Sequence, residues 1–162
     1  MGDNNNARAG ELPGAPNPAL RELDRLLGRW AVSGPTVEGH VEYEWMEGGY
    51  FLIQDVDITA FGRRIKGVEY IGFDEDTTTL RSHFMDNHGS NFTYTWELED
   101  DTLRIWFGEK GSDNSFRGTF DESGDSYSGR WQWPDGEGGT AGYEATVTRS
   151  VEADEFRPRR RS

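Results

Sequence analysis

Tyr94-Thr95-Trp96-Glu97-Leu98-Glu99-Asp100-Asp101-Thr102-Leu103-Arg104-Ile105-Trp106-Phe107 is the stretch whose reading decides the fold. Its side chains alternate in character on either side of an Asp-Asp pair, and a period of two is that of a half-buried strand. A two-residue loop fixes the register of the strands it joins. With Asp100-Asp101 as that loop, Leu98 faces Leu103, Trp96 faces Ile105 and Tyr94 faces Phe107. On the opposite face Glu97 meets Arg104 as an exposed ion pair. One face is apolar, the other charged, and both strands agree on which is which.

Working outward, the same arithmetic applies to the neighbouring turns. A Gly48-Gly49 turn sets Trp45 against Leu52, Tyr43 against Gln54 and Val41 against Val56. A Gly62-Arg63 turn places Val56 opposite Glu69 and Gln54 opposite Ile71. A His88-Gly89 turn places Met85 opposite Phe92, His83 opposite Tyr94 and Arg81 opposite Trp96, so Arg81 and His83 are expected on the inner face. Glu69 then lies level with His83, and Ile71 and Phe73 point inward. Later strands add Phe116, Phe120, Tyr127, Trp131, Tyr143 and Val147, with Gly118 and Gly129 leaving room among them.

From Arg29 onward turn signals recur about every 8–12 residues, giving nine junctions and ten strands joined by hairpin-length loops. That pattern predicts an all-β fold, a single antiparallel up-and-down barrel of about ten strands. Asn17-Pro18 is a helix start, with Asn as N-cap and Pro at the first position. Leu20, Leu23 and Leu27 share a face before Gly28 stops the helix, which is expected to plug one barrel end. The domain reading is a disordered tail over 1–16, a barrel over 17–150 and a loose basic tail over 151–162, ending in Arg157-Pro158-Arg159-Arg160-Arg161.

The 162 residues suit one domain. Lys plus Arg number 17 against 30 Asp plus Glu, a net −13, and the two tails nearly cancel, so the barrel carries the charge. Such a surface repels phosphate backbones and anionic lipid, so neither nucleic acid nor a membrane is expected as a partner. The chain has no cysteine, which excludes disulfides, thiolate nucleophiles and Cys-bound metals. No apolar leader or spanning run is present, and a cytoplasmic location is the expectation.

Gly28-Arg29-Trp30 opening the first strand, with Arg149 late in the last, resembles the lipocalin-like (calycin) barrels. The stretches Gly67-Val68-Glu69-Tyr70-Ile71-Gly72-Phe73-Asp74, Asp86-Asn87-His88-Gly89 and Gly108-Glu109-Lys110-Gly111 are similar to a group of small bacterial lipocalin-like proteins, mostly of unassigned function. The resemblance covers roughly 20–150. It implies a barrel with a cavity for a hydrophobic ligand, with Arg149 packed over the Trp30 ring, and no catalytic residues to carry over. Haem-binding nitrobindin-like barrels also have about ten strands, but their iron is held by a His near the last strand. Thr140 to Arg149 contain none, so neither haem nor another cofactor is expected.

The inferred lining is Tyr43, Trp45, Gln54, Glu69, Arg81, His83, Tyr94, Trp96, Phe107 and Trp131: aromatic walls with a few polar groups, as in a ligand site. A buried Glu69 needs a cationic partner or water, and His83 and Arg81 are the candidates. His40 is expected outside, beside Asp57, and Asp86 and His88 are turn residues. His83 and Asp86 differ in parity, which argues against a metal site. Three readings follow. The first is a binding protein for a small, largely apolar or aromatic molecule. The second is a cyclase or isomerase with His83 or Glu69 as proton carrier. The third is an interaction module with a filled barrel and an outer face of Trp131, Trp133, Phe51 and Ile53, which allows a homodimer.

Overall fold

The computed structural model describes residues 10–151. Ten strands close into one antiparallel barrel: β1 (Gly28–Ser33), β2 (Val37–Trp45), β3 (Leu52–Ala60), β4 (Arg63–Asp74), β5 (Thr79–Asp86), β6 (Asn91–Glu99), β7 (Thr102–Phe107), β8 (Ser115–Phe120), β9 (Ser126–Pro134) and β10 (Thr140–Val151). Each strand pairs with its sequence neighbours, and β1 pairs with β10 to seal the seam. Closure leaves no free sheet edge. Residues 1–9 and 152–162, which hold most of both expected tails including the Arg157–Arg161 run, lie outside the described residues.

The hairpin over 94–107 has the register its sequence predicts: Leu98 opposite Leu103, Trp96 opposite Ile105, Tyr94 opposite Phe107. The β2–β3 pairings also match. On the outer face Glu97 does oppose Arg104. Its carboxylate, however, accepts from Lys110 Nζ at 3.1 Å, and the Arg104 guanidinium sits 5.1 Å from the centre of the Trp106 ring.

Three registers differ from the sequence reading. The β3–β4 loop is Phe61-Gly62, not Gly62-Arg63, because Ala60 pairs with Arg63. Both loop residues have positive φ, 52° and 77°, the combination a tight hairpin needs to follow the strand twist. The change moves the register by two, so faces are kept, and Gln54 opposes Glu69. The next two hairpins have longer loops, and there the faces change. Asp74 pairs with Thr79 across four residues that include Thr78 at φ 54°, which sets Glu69 opposite Phe84. Met85 pairs with Asn91, setting Ser82 opposite Tyr94 and Leu80 opposite Trp96. Leu80, Ser82 and Phe84 therefore face inward, and Arg81 and His83 face outward. A one-residue slip exchanges the two faces of a strand. The second slip undoes the first, which is why β6 and later strands keep their expected faces.

The plug is a nine-residue 3-10 helix, Pro18–Leu26, capped by Asn17, whose side-chain oxygen accepts from the Ala19 N–H at 2.9 Å. Three residues per turn put Leu20, Leu23 and Leu26 in one line, and all three are buried; Leu27 is the C-cap rather than a core position. The helix C-terminus is tied to the seam. Trp30 Nε1 donates to the Leu26 carbonyl at 2.8 Å. Arg149 donates to the carbonyls of Leu27 and Arg25 and to Asp125 Oδ1, the last at 2.7 Å. Its guanidinium also lies 4.2 Å from the Trp30 ring centre. These groups satisfy carbonyls that a helix end leaves without intrahelical partners.

Below the plug the barrel is solid. Trp30, Leu52, Ile71 and Leu103 are almost wholly inaccessible, and Trp30 packs against Phe120 and Tyr127 with ring centres 6.3 and 5.7 Å apart. Gly118 and Gly129 do not leave open space. A Cβ there would sit 2.8 and 2.7 Å from the Phe116 ring, which lies over both glycines.

Candidate functional site

Away from the plug the barrel is hollow. A cavity of about 620 Å³ is lined by residues of many strands, a size that suits a drug-sized molecule. Aromatic rings dominate its wall and touch in series: Phe92 with Phe107 at 5.2 Å, Phe107 with Tyr94 at 5.6 Å, Tyr94 with Trp131 at 6.0 Å and Trp131 with Phe116 at 5.8 Å. Period-two alternation aims every second side chain of each strand inward, so Phe92 and Tyr94 of β6 and one ring each from β7, β8 and β9 build the series. Phe92 and Phe107 remain 41% and 38% exposed, which marks them as the mouth.

Of the residues proposed from sequence, Tyr43, Gln54, Glu69, Tyr94, Trp96, Phe107 and Trp131 line this cavity; Trp45, Arg81 and His83 do not. Trp45 lies under the plug, where its Nε1 donates to Asp24 Oδ1 at 2.9 Å and Arg21 covers its ring at 4.5 Å. Arg81 points outward and bonds Glu109 Oε2 at 3.3 Å. His83 is exposed and its Nε2 meets the Asn91 side chain. Trp131 and Trp133 line the cavity and Ile53 is buried, so they do not form an outer apolar face with Phe51.

The polar centre of the wall is Glu69, 6% exposed. Gln54 Nε2 donates to its Oε1 at 2.9 Å, and the Ser82 hydroxyl donates to its Oε2 at 2.5 Å. Trp96 Nε1 donates in turn to Ser82 Oγ at 2.9 Å. Gln54 reaches because it opposes Glu69 across β3–β4, and Ser82 because it lies diagonally across β4–β5. The cationic partner expected from sequence is therefore replaced by neutral donors. Burial drives the carboxyl from 4.5 up to about 7, against the pull of the Ser82, Trp96 and Gln54 bonds.

Ser82 was missed because its strand was read in the wrong frame. The signal was present: Leu80 and Phe84 share its parity, whereas Arg81 and His83 hold the other.

The surrounding phenols stay neutral. Tyr43 is raised well above its ordinary value, by burial first and then by Tyr127 and Glu69. Burial also raises Tyr94 and Tyr127 and brings Tyr143 to about 12. Nearer the mouth, Asp86 accepts from the backbone N–H groups of His88 and Ser90, each at 2.9 Å. Burial acts to raise its pKa, but these bonds hold it below the usual carboxylate range. Asp86 and His88 thus serve the turn, as expected, and His40 lies exposed opposite Asp57. Among the described residues no three His, Cys, Asp or Glu converge as a metal site, and no helix is long and apolar enough to cross a membrane.

No protein-family model matches the sequence, and no curated protein does. Among solved structures, the chain is similar to Rv2717c from M. tuberculosis, with a TM-score of 0.52 and 17% identity over 83% of this chain and 99% of that one. A likeness at that identity speaks for the barrel alone.

Proposed function

We propose that the protein binds a small, largely apolar molecule inside its barrel, as a lipocalin-like container. The observation that carries this reading is the cavity of about 620 Å³, walled by aromatic rings around one polar cluster. An interaction module with a filled barrel would not leave such a space. Apolar walls with a few placed polar groups are the usual form of a ligand site. The neutral probe N-phenyl-1-naphthylamine tests it by fluorescence enhancement. Val56, on the cavity wall, becomes the control: Val56→Trp narrows the space and is expected to weaken the signal. A probe that fluoresces equally with both proteins, or with neither, refutes the reading.

A second reading, an isomerase or cyclase, is favoured by one observation. A carboxyl at about 7 can give and take a proton at neutral pH. Glu69 would be the proton carrier; His83, outside the barrel, would not. Retained turnover of any identified substrate by Glu69→Gln eliminates that role.

A further inference from the structure

We infer that the cavity selects an organic cation, an amine or quaternary ammonium on an apolar body, with Glu69 facing its positive charge. This inference rests on the binding reading above and names the class of ligand.

Its basis is the charge balance of the wall. Among the described residues, those lining the cavity include two carboxylates, Glu69 and Asp86, and no Lys, Arg or His. The candidates that could have balanced Glu69 are turned away, Arg81 toward Glu109 and His83 toward Asn91. Both Glu69 oxygens do accept hydrogen bonds, but from the neutral Gln54 and Ser82. A carboxylate offers about four acceptor positions, so about two remain for a ligand. A buried carboxylate held by neutral donors alone is costly, and a cation inside the barrel offsets that cost.

The rings supply the second half of the site. Aromatic faces attract cations through their quadrupole, and most strongly where water is excluded. Tyr43 stands opposite Gln54 and Tyr94 opposite Ser82, the two residues that bond Glu69, and Phe84 stands opposite Glu69 across β4–β5. All three line the cavity. A fatty acid or other anion faces the Glu69 and Asp86 carboxylates with no described Lys, Arg or His on the wall to hold it, and the net −13 of the whole chain favours the approach of cations.

The experiment displaces bound N-phenyl-1-naphthylamine at pH 8 with three ten-carbon probes below their micelle concentrations: decyltrimethylammonium, 1-decanol and decanoate. The cation is expected to displace at least about tenfold more tightly than decanoate, with decanol between them. Glu69→Gln is expected to bring the cation–anion ratio below about threefold. Glu122→Gln, which removes the same charge from an exposed turn, should leave the ratio unchanged. Glu69→Met serves if Glu69→Gln does not fold, and the wild-type ranking stands by itself. Decanoate binding as tightly as the cation, or a preference unaltered at position 69, overturns the inference. Displacement by decanol but not the cation overturns it while the binding reading survives; failure of the naphthylamine itself to bind sinks both.

Discussion

Glu69→Gln removes an ionisable group from the barrel interior while keeping an oxygen for the Ser82 hydroxyl. In the ligand-free protein its effect depends on pH in a way the structure specifies. The Glu69 pKa of about 7 in the fold lies above the ordinary 4.5, so the folded chain holds this proton more tightly than the unfolded chain does. The associated stability is whole below pH 4.5 and is lost as the pH rises toward 7. Each unit between the two values costs 1.36 kcal/mol, so the charged form is worth about 3 kcal/mol less than the neutral one. The group is almost fully buried, so solvent screens little of this. Glutamine carries no such penalty. The variant therefore gains on the wild type as pH rises, by about 2 kcal/mol between pH 5.5 and 8. The lower limit stays clear of the isoelectric point near 4.6. Urea unfolding of both proteins at several pH values measures the difference, and the other carboxylates cancel in it. A difference that is flat within about 0.5 kcal/mol, or that grows in the opposite direction, refutes the burial of an ionisable Glu69 among neutral donors.

Arg149→Ala is expected to destabilise by about 3 kcal/mol in chemical denaturation, because it strips the cap from the Leu27 and Arg25 carbonyls, the stack on Trp30 and the Asp125 bond together. A loss below about 1 kcal/mol would mean the plug is held by its leucines alone. Gly129→Ala places a methyl 2.7 Å from the Phe116 ring and against the Arg117 carbonyl, and about 1–3 kcal/mol of destabilisation is expected by the same assay. His83→Ala, on the exposed outer face, should change neither naphthylamine binding nor stability by more than about 0.5 kcal/mol. A tenfold loss of binding would return that residue to the interior.

The legibility of this barrel follows loop length. Asp100-Asp101 and Gly48-Gly49 sit in hairpins whose registers, Leu98 with Leu103 and Trp45 with Leu52, can be counted from the sequence. In the loop after Asp74 the turning residue is not marked, since Thr78 adopts a positive φ that a β-branched residue rarely takes; in the loop after Met85 Gly89 is marked, at φ 85°, but the loop runs over residues 86–90 rather than two. Each cost one residue of register. Together they shift β6 by two residues against β4, which preserves its faces, so Tyr94 and Trp96 point inward as expected although the faces of β5, between β4 and β6, are exchanged. The helix was legible as a helix, but not its winding. Leu26 and Leu27 are both apolar, and only the tighter 3-10 turn selects the first. The cavity was legible as aromatic, and its polar centre only in part: Gln54 and Glu69 came from hairpin counting, whereas Ser82 depended on the reversed strand. Where open space begins was not legible, because the Phe116 ring covers both glycines that would otherwise have widened it.

Arg149 reaches the carbonyls of Arg25 and Leu27 from more than a hundred residues further along the chain. The first and last elements are thereby fastened by one side chain, at the same seam where β1 meets β10. Closing a loop of that length is the slowest kind of contact to make. During synthesis, hairpins from β2 to β9 can assemble in order as they emerge, each beside its predecessor. The cylinder stays an open sheet until the tenth strand arrives. A nascent chain halted before residue 140 lacks both the clasp and the tenth strand, and it presents two unprotected strand edges to its neighbours.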